Sequence, residues 1–428
     1  MSKVDYPQKF QKSIEHTFFD TLPQALQAFI RSKAQAHMLS HQEIKQVIDM
    51  AIDFRMWGKG SLETFWDETP YANRTPKQRK QAILQELRAL HARFQQEAND
   101  YAELQQQAIK APKIKLQAEP KENLGFGLCP VASPKTRCCN LLTLDAVESC
   151  GFDCSYCSIQ SFYNEGKITF DTTLQEKLDR IELDPDEFYH IGTGQASDSL
   201  MWGNRYGVLE QLVAFARKHP NVMLEFKTKS DNVSYFLDKE LPPNLLFTWS
   251  LNPQTIIDHE EHLTASLDAR IAAAKKIADK GALVGFHFHP MIYYKNYQHE
   301  YKELFQRLVD MFDPAQVVLV SFGTLTFIKP VIHKIRKRDF QSKILQMPLV
   351  EAAGKLSYPL AIKREMFKFA YDAFAPWHKK VFFYLCMEDH TLWKEVFGYE
   401  YPTNESFEMD MKLSYMAKIS AIKKGRTP

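Results

Sequence analysis

Three cysteines, Cys150, Cys154 and Cys157, stand close together in "ESCGFDCSYCSIQSFY" (148–163), in a chain with seven cysteines in all. A tight loop can turn three thiolates at Cys-x3-Cys-x2-Cys spacing toward one centre. Structural zinc normally takes four ligands, and no fourth Cys or His follows at finger spacing. Cubane iron–sulfur clusters are also held by thiolates, and three of them leave one iron open to a substrate or cofactor. The competing readings are a buried turn that happens to carry cysteines and a colourless zinc site. A second polar group is "GFHFHP", where His287 and His289 share one strand face. The pair suits a polar cavity lining or proton transfer better than metal binding, because no third ligand accompanies it. The other four cysteines, Cys129, Cys138, Cys139 and Cys386, have no tight common spacing, so a second cluster is not expected.

The elements that must position these groups begin at residue 141, where short β-rich apolar runs alternate with amphipathic helical runs. Strands are expected at 141–147, 188–194, 222–229, 245–252, 282–290 and 317–324. Six alternating units imply a parallel sheet with right-handed crossovers. The fold expected is α/β, a partial (β/α)6 barrel. Chemistry in such barrels gathers at the C-terminal ends of the strands. The cysteine trio follows the first strand, "GTGQASDS" (with Gln195 and Ser197) the second, and "KTKS" (with Lys227 and Lys229 on one face) the third. "TWSLN" places Ser250 and Asn252 on one face at the end of the fourth, and Arg270 is expected on a helix surface.

Upstream, residues 20–110 read as polar helices. Ser40–Glu43 fits a capping box, and Thr75 with Pro76 fits a helix start. A stripe of Ile83, Leu87, Leu90 and Phe94 needs a partner surface. The domains expected are a helical N-terminal domain (1–110), a linker or arm rich in Pro and Lys (111–140), the barrel core (141–325) and a C-terminal extension (326–428). Charge is nearly balanced, with 54 Lys+Arg against 52 Asp+Glu, so no global field marks nucleic acid or membrane as partner. The dense basic stretch "KPVIHKIRKR" (329–338) reads equally as a phosphate-binding patch or a solvated helix face. Few cysteines, no signal-peptide pattern and no long apolar run lead to the expectation of a cytoplasmic protein without membrane contact.

The cysteine motif after a first strand, with Tyr156 just before its last Cys, resembles the radical SAM superfamily. The blocks "SCGFDCSYCSIQ", "GTGQASDS", "FKTKSDNV", "FTWSLN", "SLDARIAAAKKIADKGALVGFHFHP" and "YLCMEDHTLWKEVFG" resemble its spore photoproduct lyase-like branch over roughly residues 140–400. The resemblance implies a [4Fe-4S] cluster on Cys150, Cys154 and Cys157. It implies S-adenosyl-L-methionine contacts from Tyr156, Ser197, Lys229 and Ser250, and a reduced flavodoxin or ferredoxin as electron donor. Reductive cleavage would give a 5′-deoxyadenosyl radical that abstracts hydrogen from a substrate near Gln195, His287 and His289, with nucleic acid or nucleotide as a substrate class. Two departures stand out. Gln195 occupies the position of the branch's hydrogen-donating cysteine, and Ser158 that of a tyrosine after the third cluster cysteine. An amide N–H bond is far stronger than a thiol S–H bond, so cofactor cleavage is expected without photoproduct repair. The alternatives are a photoproduct lyase-type enzyme with another hydrogen donor, and a non-catalytic nucleic-acid-binding iron–sulfur or zinc protein.

Overall fold

In the computed structural model, residues 5–104, 113–122, 124–129, 135–158, 166–352 and 355–425 are described. The chain divides into two compact units: residues 1–108 with 327–350, and 109–326 with 351–428.

The second unit is built on an eight-stranded sheet. Its strands are β1 (Gly125–Leu128), β2 (Leu142–Asp145), β3 (Tyr189–Gly192), β4 (Val222–Thr228), β5 (Leu245–Ser250), β6 (Leu283–Met291), β7 (Val317–Thr324) and β8 (Phe382–Leu385). They lie in space in that same order, each beside its sequence neighbour. Strands β2 to β8 are parallel throughout, and β1 pairs antiparallel with β2 at the edge. The six strands read from the sequence are β2–β7, so the partial (β/α)6 barrel is the core of this curled sheet. Sequence patterning passed over two strands. "GFGL" is short and half glycine, which reads as linker, and "FFYL" is a four-residue run in aromatic-rich surroundings without alternation.

A parallel sheet covered on both faces makes its strands nearly all apolar, and β7 is buried at every position. The exceptions mark the barrel interior. Phe286 and Phe288 of β6 face outward, against Phe312 and Trp377 and against Phe305 and Phe374. His287 and His289 face inward. The helix Leu267–Asp279 opens on Ser266, whose hydroxyl accepts from the Ala269 N–H, and closes just before Gly281 at φ +85°, a left-handed position where glycine carries no Cβ penalty.

The first unit is helical. Both expected start signals are present as full capping boxes, Ser40 for His41–Met56 and Thr75 for Pro76–Gln96. The latter buries Ile83, Leu84, Leu87 and Phe94, with Leu84 taking the place expected for Leu90, which is half-buried. The basic stretch forms the helix Lys329–Lys337 and belongs to this unit. Arg336 turns inward, its Nε and Nη2 donating to the fully buried Asp53 at 2.9 and 2.7 Å, so part of the patch is structural. Among the described residues, no helix is long and apolar enough to cross a membrane.

Candidate active site

At the C-terminal edge of the sheet lies a cavity of about 260 Å³. Cys150, Cys154 and Cys157 line it from the loop after β2, Gln195 and Ser197 from the loop after β3, and Lys227 and Lys229 from the end of β4. Ser250 ends β5, His289 lies near the end of β6, and Cys386 follows β8 on the same wall, with Tyr156 beside the cysteines. His287, expected alongside His289, faces an adjoining chamber of about 160 Å³ that shares Gln195, Lys227, His289 and Cys386. That chamber also gathers Cys129, Cys138 and Cys139, which sequence spacing alone did not unite. A larger hollow of about 580 Å³ in the helical unit is lined by neither cysteine nor histidine.

The cysteine loop is seated by backbone. Residues 153–154 pair antiparallel with Glu261–His262, the Ser155 N–H donates to the Glu260 carbonyl at 2.8 Å, and the Cys157 N–H to the Cys154 carbonyl at 3.2 Å. Gly151 lies flat where a Cβ would stand 2.9 Å from the rigid Trp202 ring. Gly194 serves the next loop similarly, since a Cβ there would meet the Lys227 carbonyl at 2.9 Å. Burial, with Asp198 nearby, pushes the Cys150 thiol up to about 12, and burial raises Cys154 as well. Such thiols ionise only when a cation sits against them. Among the described residues no three His, Cys, Asp or Glu close around a single ion. Zinc with ~2.3 Å bonds would need its sulfurs roughly 3.8 Å apart. A polynuclear cluster holds them wider, and three thiolates lining one cavity are a donor set that such a cluster takes.

A buried ionic frame supports the cofactor-side residues. Tyr156 donates its hydroxyl to Glu261, which also accepts from Asn252 Nδ2 at 2.7 Å and pairs with Arg270 at 2.6 Å. Arg270 is fully buried, not on a helix surface as its sequence position suggested. Its guanidinium donates to the Ser250 carbonyl at 2.9 Å and the Ala265 carbonyl at 2.8 Å. Burial works to raise the Glu261 carboxyl, yet Arg270 and Lys229 hold it down at about 2. The Lys229 ammonium stands 5.7 Å from the Tyr156 ring centroid, within cation–π reach. Its backbone N–H donates to Asp198 at 2.6 Å. The Ser197 hydroxyl, only 3% exposed, has no partner among the described residues. An unpaired buried hydroxyl is costly, and one on this wall fits a polar group of a bound cofactor.

The spore photoproduct lyase family model matches residues 144–355. That region is spore photoproduct lyase-like. Spore photoproduct lyases of Geobacillus sp. (strain Y412MC61) and Bacillus subtilis (strain 168) are each 26% identical, over 202 and 204 residues. Each match covers 46% of this chain and 59% of the relative, so the chain spans well under two thirds of the lyases it matches. Solved lyase structures agree in fold. A cysteine-to-serine mutant aligns with TM-score 0.55 at 20% identity, over 65% of this chain and 88% of that one. A double mutant with bound AdoMet and dinucleoside spore photoproduct aligns at 0.53 and 20%, over 70% and 94%. In the lyase-like core, the residues that sequence reading missed are Glu225, Thr248, Ser321 and His190, while Cys386, named there only as a cysteine without close neighbours in sequence, joins the cavity wall. Glu225 left a signal, as a lone acid in the apolar run "VMLEF" on the face of Lys227.

Proposed function

We propose that this chain holds a [4Fe-4S] cluster on Cys150, Cys154 and Cys157, binds S-adenosylmethionine beside it, and abstracts hydrogen from a substrate in the cavity. One observation carries the reading. Three thiols, a lysine, Ser250 and the unpartnered Ser197 hydroxyl share one wall of a lyase-like barrel. When bound, the cluster supplies the electron that splits the sulfonium into methionine and an adenosyl radical. The protein's own residues bind and orient. Lys229 attracts the cofactor's carboxylate, Ser197 gives its hydrogen bond, and Arg270 fixes the backbone of Ser250 and, through Glu261, the ring of Tyr156. The partial barrel positions the substrate and limits the access of water and stray hydrogen donors to the radical.

Lys227, the lysine of the cavity wall not given to the cofactor, favours an anionic substrate. The dinucleoside spore photoproduct bound in a solved lyase supports a nucleotide or nucleic acid as its class. A reduced flavodoxin or ferredoxin, in the cytoplasm, is the proposed electron source. Gln195 in place of a donor thiol argues against photoproduct repair. A second reading, repair with another hydrogen donor, is favoured by Cys386, whose position lines both chambers beside Gln195.

Anaerobic reconstitution with iron and sulfide, followed by dithionite and S-adenosylmethionine, tests the proposal. The wild-type chain should yield 5′-deoxyadenosine and Cys154→Ala should yield none. A brown, loaded wild type that yields none would overturn it. Adding dinucleoside spore photoproduct separates the two readings, since only the second predicts conversion to thymine dinucleotide.

A further inference from the structure

Across the barrel interior runs an unbroken chain of hydrogen bonds. Glu225 of β4 is 2% exposed and accepts from His190 Nε2 of β3 at 2.8 Å, Thr248 Oγ1 of β5 at 2.6 Å and His287 Nε2 of β6 at 2.7 Å. The other ring nitrogen of His287, Nδ1, lies 2.5 Å from the Ser321 hydroxyl of β7, which lies 2.9 Å from His289 Nε2. Register explains the meeting, because His287 pairs directly with Ser321 on the neighbouring strand.

With His287 neutral, one arrangement of protons satisfies every contact. Although burial alone would raise it, Glu225 is held well below the carboxylate range by His287 and His190, so it is ionised and accepts only. His287 donates from Nε2. Burial and Lys227 hold His287 down at about 4, so it is neutral and its Nδ1 accepts from Ser321. Ser321 then accepts from His289 Nε2–H. His289 is likewise held neutral by burial and by Lys227. Its Nδ1 is therefore an unprotonated lone pair with no hydrogen bond among the described residues, on a residue that lines the cavity. The order Glu–His–Ser resembles a hydrolytic triad, but the Ser321 hydroxyl is fully buried and committed to His289, which rules out a nucleophile.

We propose that His289 is the proton acceptor of the substrate site and that Ser321, His287 and Glu225 hold the proton it takes. The inference rests on reading the cavity as a substrate site. In the step, an O–H or N–H bond of the substrate breaks and Nδ1–H forms on His289. Nε2–H passes to Ser321, and the Ser321 proton passes to His287 Nδ1. The end state is a neutral His289 with its proton on Nδ1 and an imidazolium at His287 paired with ionised Glu225. No electrons change hands, and the substrate loses one unit of positive charge. The substrate that fits bears a hydroxyl or amino group on the carbon that loses its hydrogen atom, because a carbon radical makes the adjacent O–H or N–H far more acidic. Besides the relay itself, the charged and titratable groups that share a cavity with His289 are Lys227 and Lys229 from β4, Cys386 beyond β8, Asp198 after β3, the cysteine trio with Tyr156 after β2, and, in the adjoining chamber, Arg137 with Cys129, Cys138 and Cys139. Lys227 opposes a cation at both histidines, but only His287 has Glu225 paired directly with its ring, and that carboxylate favours passing the proton inward.

The test uses the full-length chain with 15N-labelled histidine, its tautomers read by long-range NMR between pH 3 and 8. At pH 8, His289 should be the neutral Nε2–H form. On acidification, His287 and His289 should respond with one shared midpoint, His289 switching to Nδ1–H as His287 becomes cationic. Ser321→Ala should abolish the shared midpoint, and Glu225→Gln should move it down by at least a pH unit. A His289 already in the Nδ1–H form at pH 8, or unchanged coupling in Ser321→Ala, would overturn the relay. Neither readout requires cofactor cleavage, so failure here is distinguishable from failure of the 5′-deoxyadenosine assay.

Discussion

Asp145, at the end of β2, links that strand to the loop carrying Gln195 and Ser197 by accepting the Ala196 N–H at 3.1 Å. Burial pushes its carboxyl up to about 6, against the pull of that N–H and of Lys121. An unfolded aspartate titrates near 3.9, so the folded state binds this proton more tightly. Stability from this group is therefore fully present below about pH 4 and is lost as pH rises through 6. Asp145→Asn keeps an oxygen for the Ala196 N–H and removes the buried charge. It should stabilise the protein at pH 8 by about 1 kcal/mol, discounted for partial solvent screening, with no gain at pH 4. Urea titrations at the two pH values check this, and an equal gain at both would contradict it. The cysteine trio could be read directly because its spacing is local. Ser321 could not, since its partners lie on other strands and only register brings them together.

At the scale of strands and helices, the site consists of strand ends tied by a buried frame. Arg270 comes from the helix Leu267–Asp279 and reaches the end of β5 and the acid behind Tyr156. It occupies the helix's inward stripe with Ala274 and Ile277, a periodicity that its charge obscured. Removing one partner of a buried ion pair strands the other charge. Arg270→Met should therefore cost about 3–5 kcal/mol in chemical denaturation. Adding Glu261→Gln should recover a substantial part, because the stranded carboxylate is then gone. A double variant no more stable than the single would mean that Arg270 works mainly through the Ser250 and Ala265 carbonyls. The barrel strands were visible as apolar runs between helices. The edge strand β1 and the last strand β8 were not, because four residues with little alternation carry too weak a periodicity.

At the scale of the whole chain, the helical unit is assembled from two stretches far apart in sequence, 1–108 and 327–350. Asp53 joins them, fully buried between Arg336 and His91. Arg336→Met should expose the helices His41–Met56 and Lys329–Lys337 to amide exchange while β4 to β7 keep their protection. The expected loss is about 3–5 kcal/mol in the helical unit. Uniform loss of protection in both units would contradict this. Sequence reading placed 329–338 in a C-terminal extension because nothing local ties Arg336 to an acid lying 283 residues earlier.

That separation has a consequence during synthesis. The helix bearing Arg336 leaves the ribosome only after β1 to β7 have been made. At about 5–20 residues per second, the nascent Asp53 carboxylate waits roughly 15–60 s for its guanidinium. Until then the amino-terminal helices are an unfinished piece with an acidic hole, and a nascent-chain chaperone has its natural moment to attend them.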